Sequence, residues 1–514
     1  MSRKTTFLHG ALILSIAGAL SKIMGAIYRI PIARFLGAEG IGLYQMAYPI
    51  YVAILSLSTA GVPVAISVLI ARKSVQGYNG DERKLIKASL LILLGFGLAL
   101  ALLVMWAAKP IAVYVLHEPR AHYPILAVAP AIFLSCVMAV FRGFFQGQQT
   151  MMPTAVSQVT EQLFRVSAVL ILAFLLAPKG LEYAVSGATF GAVVGGLAGL
   201  AVLIVYYLRF LHKHAGENLN YSGESVRQMA TDMVMLAIPV SLGAVVLPLV
   251  QMLDAIIVPG RLAFLGYAAS EVTALYGQLA GMAAVIISLP SIFTIAISSS
   301  LVPAVSEATA SDNYSLINSR INSGLQAGML ISFPAATGLF VLAYPICDLL
   351  YKAPEAGIAL TPLAFSAIAL AAFQLSSAGL QGTGHPQIAM HHLIVIGIFK
   401  VIFNYFLTAI PSMHIQGAAL GTVLAFSIGS LLNLRSLKNL TGIHYEYRRM
   451  LKLALICVCM GLLTYIGYHL LLSTCGGVFL PTVGAVIIGV MVFGVLLWLT
   501  KELDWDLIRS FLKA

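Results

Sequence analysis

The stretch LIKASLLILLGFGLALALLVMWAA, residues 85–108, carries one charge, Lys87, near its start. It exceeds the about 20 apolar residues that a helix needs to cross a hydrocarbon core. Runs of the same kind recur on both sides of it, near 7–28, 42–70, 123–142, 153–177, 181–208, 229–258, 272–303, 323–346, 355–381, 386–410, 414–434, 453–473 and 477–500. Fourteen transmembrane helices are therefore expected. The composition agrees: of 514 residues 60% are hydrophobic and only 10% charged, against roughly 25% charged in a soluble domain. A soluble globule and a disordered chain are excluded. A β-barrel does not fit either, because barrel strands alternate over stretches of about 10 residues, whereas these runs are continuous.

The net charge of +11 has to be counted by membrane side before it is assigned to a partner. With the N-terminus inside, most Lys and Arg fall in cytoplasmic segments, among them Arg72, Lys73, Arg83, Lys84, Arg142, Arg435, Lys438, Arg448, Arg449, Lys452, Lys501, Arg509 and Lys513. That bias places both termini in the cytoplasm, so the charge does not point to nucleic acid. Arg3 and Lys4 before an apolar run mimic a signal peptide, but the run continues past Lys22 and further spans follow, so it is expected to be retained. The five cysteines, Cys136, Cys347, Cys457, Cys459 and Cys475, are odd in number and lie in or beside apolar runs. They read as packing residues rather than a disulfide framework.

An internal repeat organises the spans. At an offset of 232 residues Lys22 falls on Asp254, Arg29 on Arg261, Glu39 on Glu271 and Leu43-Tyr44 on Leu275-Tyr276; further on, at 235, Gln146-Gly147 falls on Gln381-Gly382 and Arg165 on Lys400. Six spans per repeat is an even number, so the two halves share one orientation and are related by an axis along the membrane normal. The expected division is an N-lobe at 1–215, a C-lobe at 216–436, and a basic linker, two further helices and a cytoplasmic tail at 437–514.

Ionisable residues within spans are costly and usually face a bundle interior or a watery cavity. Lys22 and Arg29 share one face of span 1. Gln158, Glu161, Gln162 and Arg165 form one stripe in span 5. Gln251, Asp254 and Arg261 share a face in span 7, and Lys400 and Asn404 in span 11. These four faces are the expected walls of one central cavity. Blander readings stand beside this: Glu161 and Arg165 at i, i+4 neutralise each other, Lys22 and Lys400 snorkel, Arg29 and Arg261 anchor outer helix ends, and Asp254 is a counter-ion. The basic groups outnumber the acidic ones, so an anionic ligand is favoured.

Other chemistry is thin. His385, His391 and His392 cluster without an acid or Cys at metal-ligand spacing. There is no phosphate-binding GxxxxGK[ST] loop and no Gly-Lys dipeptide, and no loop carries the paired carboxylates of a hydrolase. Neither an enzyme, a catalytic residue, a metal nor a bound cofactor is expected; coupling to the membrane potential or to a monovalent cation is left open.

Several segments carry a resemblance. They are Lys22-Ile23-Met24-Gly25 through Arg29-Ile30-Pro31-Ile32-Ala33-Arg34-Phe35-Leu36-Gly37, Gly40-Ile41-Gly42-Leu43-Tyr44, Gly61-Val62-Pro63-Val64-Ala65-Ile66-Ser67, Arg142-Gly143-Phe144-Phe145-Gln146-Gly147, Gln158-Val159-Thr160-Glu161-Gln162 and Gln381-Gly382-Thr383-Gly384. Together they resemble the stage V sporulation protein B / polysaccharide-biosynthesis family, within the multidrug/oligosaccharidyl-lipid/polysaccharide exporter superfamily and near its bacterial lipid II flippases. The resemblance implies an all-α fold of two six-helix lobes around a V-shaped cavity, with two extra C-terminal helices helping to form a groove for a lipid tail. Lys22 stands where the better-known flippases have a span 1 arginine, while their cationic residue in span 8 has no counterpart around the apolar Val285.

The expected function is a flippase in the bacterial cytoplasmic membrane, a monomer active in cell-wall or sporulation-related polysaccharide synthesis. It would move a polyprenyl-diphosphate-linked saccharide, first of all the peptidoglycan precursor lipid II, from the inner to the outer leaflet by alternating access. Its expected substrate-binding residues are Lys22, Arg29, Glu161, Arg165, Asp254, Arg261, Lys400 and Asn404. Its partners are that lipid, the bilayer and, as a further class, cell-wall synthesis proteins. The alternatives are a cation-coupled multidrug exporter of the same superfamily and a non-transporting envelope-synthesis scaffold.

Overall fold

A computed structural model describes residues 3–215, 218–474 and 476–500. Cys475 and the tail with Lys501, Arg509 and Lys513 lie outside the described residues. No strand occurs among the described residues. The α-helices run α1 Arg3–Ile27, α2 Arg29–Thr59, α3 Val62–Gln76, α4 Asn79–Pro110, α5 His122–Val128, α6 Pro130–Gly147, α7 Met152–Leu176, α8 Leu181–Lys213 and α9 Val226–Phe264. They continue as α10 Ala269–Tyr276, α11 Ala284–Ala310, α12 Tyr314–Val341, α13 Ala343–Tyr351, α14 Ala356–Leu363, α15 Ser366–Gly382, α16 Pro386–Leu407, α17 His414–Thr441, α18 Tyr447–Thr474 and α19 Phe479–Leu499.

Local chemistry sets several ends. Proline stands in the first turn of α6, α7 and α16, where its missing N–H costs nothing and its fixed φ suits the helix. Asp81 and Glu82 occupy the first turn of α4, facing the positive end of the helix dipole. Gly37 has φ 68° and breaks α2 from within; only a residue without Cβ adopts that conformation readily, and the break separates the first expected span from the second.

Twelve helices among the described residues are long and apolar enough to cross a membrane, or thirteen if the bent pair Ala356–Leu363 and Ser366–Gly382 is one span. The first of these stretches, Ile16–Gln76, is 61 residues long and contains both the second expected span and part of the first. The chain is a multi-pass membrane protein.

The fold divides into two compact units, Met1–Gly260 and Arg261–Ala514. The boundary falls inside α9, because the first part of that helix packs on the first unit: the Gly61 backbone N–H donates to Ser241 Oγ at 3.0 Å, and Ser89 Oγ meets Met233 Sδ at 3.0 Å. Gly61 tolerates no side chain, since a Cβ there would collide with the Ala237 carbonyl. The segment leading into α9 is strapped to the α3–α4 turn. Lys73 Nζ lies 2.6 Å from Glu224 Oε1 and 3.6 Å from the fully buried Asp81, which accepts from the Ser222 backbone N–H at 2.9 Å.

Each unit repeats the same close packing. A Cβ on Gly147 would stand 2.7 Å from Ile70 Cβ and 2.9 Å from the Ser67 carbonyl; a Cβ on Gly382 would stand 2.7 Å from Val305 Cβ and 2.9 Å from the Val302 carbonyl. All three positions are shifted by the offset of 235 that relates Arg165 to Lys400. In the second unit the loop between α17 and α18 is fixed: Tyr445 donates to the Leu434 carbonyl at 2.6 Å, and burial, with Tyr447 adding, pushes its phenol well above the usual range.

Cys136, Cys347 and Cys457 are buried as expected of packing residues, but Cys459 is exposed. It lies two residues from Cys457 on α18, about 200° around the helix, and so faces outward.

Candidate cationic site

The polar stripe of α7 is held in place by glycines. Gly187, Gly191, Gly195 and Gly199 recur every fourth residue of α8 and present one narrow face to α7. A Cβ at Gly195 would stand 2.6 Å from the Glu161 carbonyl and 2.8 Å from Arg165 Cβ; one at Gly199 would stand 3.0 Å from Glu161 Cβ. Small residues at this spacing let membrane helices approach closely without a hydrophobic driving force. The two backbones thereby fix where Glu161 and Arg165 leave α7.

On that platform Glu161 bridges two guanidinium groups. Its Oε1 accepts from Arg165 at 2.7 Å and its Oε2 from Arg142 at 2.8 Å. Arg142 also donates to Ser157 Oγ at 3.1 Å, and Ser157 donates to the Gly199 carbonyl at 3.1 Å. The three charged side chains keep 19%, 15% and 16% of their surface exposed, so the cluster is reachable rather than sealed. The buried Nε atoms of Arg142 and Arg165 and the Oε1 of Gln158 have no hydrogen-bond partner among the described residues.

Tyrosines of α2 line the same cluster. Tyr44 and Tyr48 stack at 5.4 Å, Tyr48 and Tyr51 follow at 5.8 Å, and the Tyr28 and Tyr44 hydroxyls are 3.4 Å apart. Arg29 is half-buried within electrostatic reach of Tyr28, Tyr44 and Tyr48; Tyr51 is within reach of Arg165 and Glu161. Arg142 and Arg165 thus share one bridging carboxylate, and Arg29 stands on the tyrosine face that also reaches Arg165.

Among the expected site residues, Glu161 and Arg165 meet in this way, and Arg29 shares its Tyr28 and Tyr48 neighbours with Arg165. Lys22 is exposed on α1 and Asp254 half-buried on α9. In the second unit Lys400 is half-buried on α16, and Asn404, one turn on, is buried against Gly421 of α17. Arg261 lies between aromatic faces, 4.4 Å from the Phe264 ring and 4.3 Å from the Tyr405 ring, a cation–π sandwich. His392 Nδ1 meets Asn433 Oδ1 at 2.7 Å, and no group of three potential metal ligands occurs among the described residues.

The sequence reading missed Arg142 and the tyrosines. Arg142 falls at the inner end of the expected span 123–142, which assigned it to a cytoplasmic segment; α6 runs on to Gly147, so Arg142 lies inside the helix and turns toward α7. The signal in the sequence was Tyr44, Tyr48 and Tyr51 at i, i+4, i+7, one face of a helix.

Comparison with known proteins places these features in a family. The description "Polysaccharide biosynthesis protein" matches residues 7–309. Stage V sporulation protein B of Bacillus subtilis (strain 168) is 31% identical over 458 residues, 89% of this chain and 88% of that protein. Lipid II flippase MurJ of the same organism is 28% identical, covering 87% of this chain and 84% of that one. Among solved structures, "Lipid II flippase MurJ, inward closed conformation" superposes with a TM-score of 0.72 at 17% identity over 97% of this chain and 100% of that one. An inward-facing multidrug resistance MATE family transporter of the MOP superfamily gives 0.68 at 15% identity over 84% and 98%. The MurJ relative and both solved structures are named as flippases or transporters rather than enzymes. A family match over more than half the residues, together with a relative this similar along most of its length, shows that the chain belongs to the polysaccharide biosynthesis protein family.

Proposed function

We propose that this protein is a flippase that carries a polyprenyl-diphosphate-linked saccharide, first of all lipid II, from the inner to the outer leaflet of the bacterial cytoplasmic membrane, with both termini cytoplasmic. The observation that carries this reading is the arginine cluster of the first unit: Arg142 and Arg165 share a single carboxylate in membrane-crossing helices, and Arg29 stands on the tyrosine face that also reaches Arg165. Bare charge in hydrocarbon is prohibitive, whereas guanidinium groups offer a diphosphate charge-assisted, bidentate contacts. Lys22, Arg261 and Lys400 are further proposed contacts for that lipid, and Asp254 and Asn404 polar neighbours.

A second feature supports a lipid cargo. In the second unit an apolar groove of about 390 Å³ is lined by Ile286, Leu289, Pro334, Leu339, Met460 and Phe493. It lies among α11, α12 and the two C-terminal helices α18 and α19, and suits a polyprenyl chain. The deciding experiment is the purified chain in vesicles with lipid II or another polyprenyl-linked sugar, scored for outer-leaflet exposure. Transport of none of these lipids overturns the reading. The fold shared with MATE transporters favours one alternative, a cation-coupled exporter, for which drug efflux would be abolished by Asp254→Asn and indifferent to Lys22→Ala.

A further inference from the structure

Glu161 holds two guanidinium groups at once, a geometry that a phosphate could equally satisfy. Its two oxygens are spread over two guanidinium groups from different helices, 2.7 Å from Arg165 on α7 and 2.8 Å from Arg142 on α6, as two oxygens of a phosphate would be. All three side chains remain partly exposed, and each guanidinium keeps its buried Nε without a partner among the described residues. Arg29 adds a further positive charge through the Tyr28, Tyr44 and Tyr48 face. A carboxylate so placed offsets one positive charge of the empty site and satisfies its guanidinium groups incompletely.

We infer that Glu161 is a built-in stand-in anion, displaced from Arg142 and Arg165 when the diphosphate arrives and returning to them when it leaves. This rests on the flippase reading and adds to it a role in the return of the empty carrier. Two adjacent arginines in a membrane interior with no counter-ion are costly, so a carrier lacking Glu161 would hold the diphosphate well and return poorly without it. Glu161 therefore trades affinity for turnover. The groups facing it are Arg142 from α6, Arg165 on its own helix and Tyr51 from α2.

The test is binding of geranylgeranyl diphosphate to the full chain in lipid nanodiscs, paired with lipid II transport in vesicles. Glu161→Gln should bind the diphosphate about five- to tenfold more tightly, the effect of removing one competing ionic contact, while its transport rate falls severalfold. Glu161→Asp keeps the charge with a shorter reach; it should shift both readings the same way by less, and serves if the glutamine variant is not recovered. In Arg142→Gln/Glu161→Gln the tightening should disappear. If the wild-type chain binds no diphosphate, the flippase reading itself fails. If the wild type binds and Glu161→Gln or Glu161→Asp binds equally or more weakly, Glu161 is a structural ion pair and the inference is overturned.

Discussion

At the residue scale, the arginines of the first unit are distinguished by what remains when each is removed. Arg165→Gln leaves Glu161 paired with Arg142, so the fold should persist while one ligand contact is lost. A hydrogen bond to a charged group is worth about 1.5–3 kcal/mol, so diphosphate binding should weaken roughly tenfold or more, measured on the full chain in nanodiscs. Arg165→Lys should recover only part, because an ammonium cannot make the planar double contact. Unchanged binding in Arg165→Gln would remove this residue from the site. The Glu161–Arg165 pair was legible in the sequence, because i, i+4 spacing on one helix brings side chains together. Arg142 was not, since its partner is 19 residues away across the junction of two helices, and no single-helix pattern reports such a contact. Arg261 was legible as a polar position, yet its two aromatic neighbours include Tyr405 from another helix.

Elements place those residues, and glycine decides how closely. Gly195→Ala would put a methyl 2.6 Å from the Glu161 carbonyl; overpacking of this kind costs about 1–3 kcal/mol. The melting temperature in detergent should drop, and transport should fall with it because α7 carries the charges. Gly199→Ala, whose Cβ would meet the Glu161 side chain at 3.0 Å, should be milder. The four-residue glycine spacing was present in the sequence, but the apolarity that identifies a span does not say which face meets a neighbour. Gly338 of α12 offers the opposite experiment. It lines the apolar groove, and a Cβ there meets nothing within 4 Å, so Gly338→Phe should fold normally and fill the groove. Transport of a lipid with a full-length polyprenyl chain should drop, while binding of geranylgeranyl diphosphate should stay as in the wild type. A variant that carries the long-chain lipid at the wild-type rate would show that the groove does not hold the tail.

At the scale of the whole molecule, the repeat was readable before any coordinates, because rare charges in a chain only 10% charged make coincidences visible. The structure gives that offset a packing meaning, since Gly147 against Ile70 and Gly382 against Val305 are the same contact made twice. Duplication of packing and excess positive charge together suggest how the cycle is driven. If the cargo is a diphosphate, its outward passage moves negative charge out of a negative interior. The potential then contributes about 2.3 kcal/mol per charge per 100 mV, and no ATP-binding element is required. In vesicles without a sodium or proton gradient, an inside-negative potassium-diffusion potential should therefore accelerate appearance of the lipid in the outer leaflet, and reversing its sign should slow it. Binding measured at zero potential gives the baseline, so the acceleration belongs to translocation. If the rate ignores the potential but collapses when sodium is replaced, the carried charge is compensated by a co-transported cation, and Asp254 becomes the first residue to neutralise.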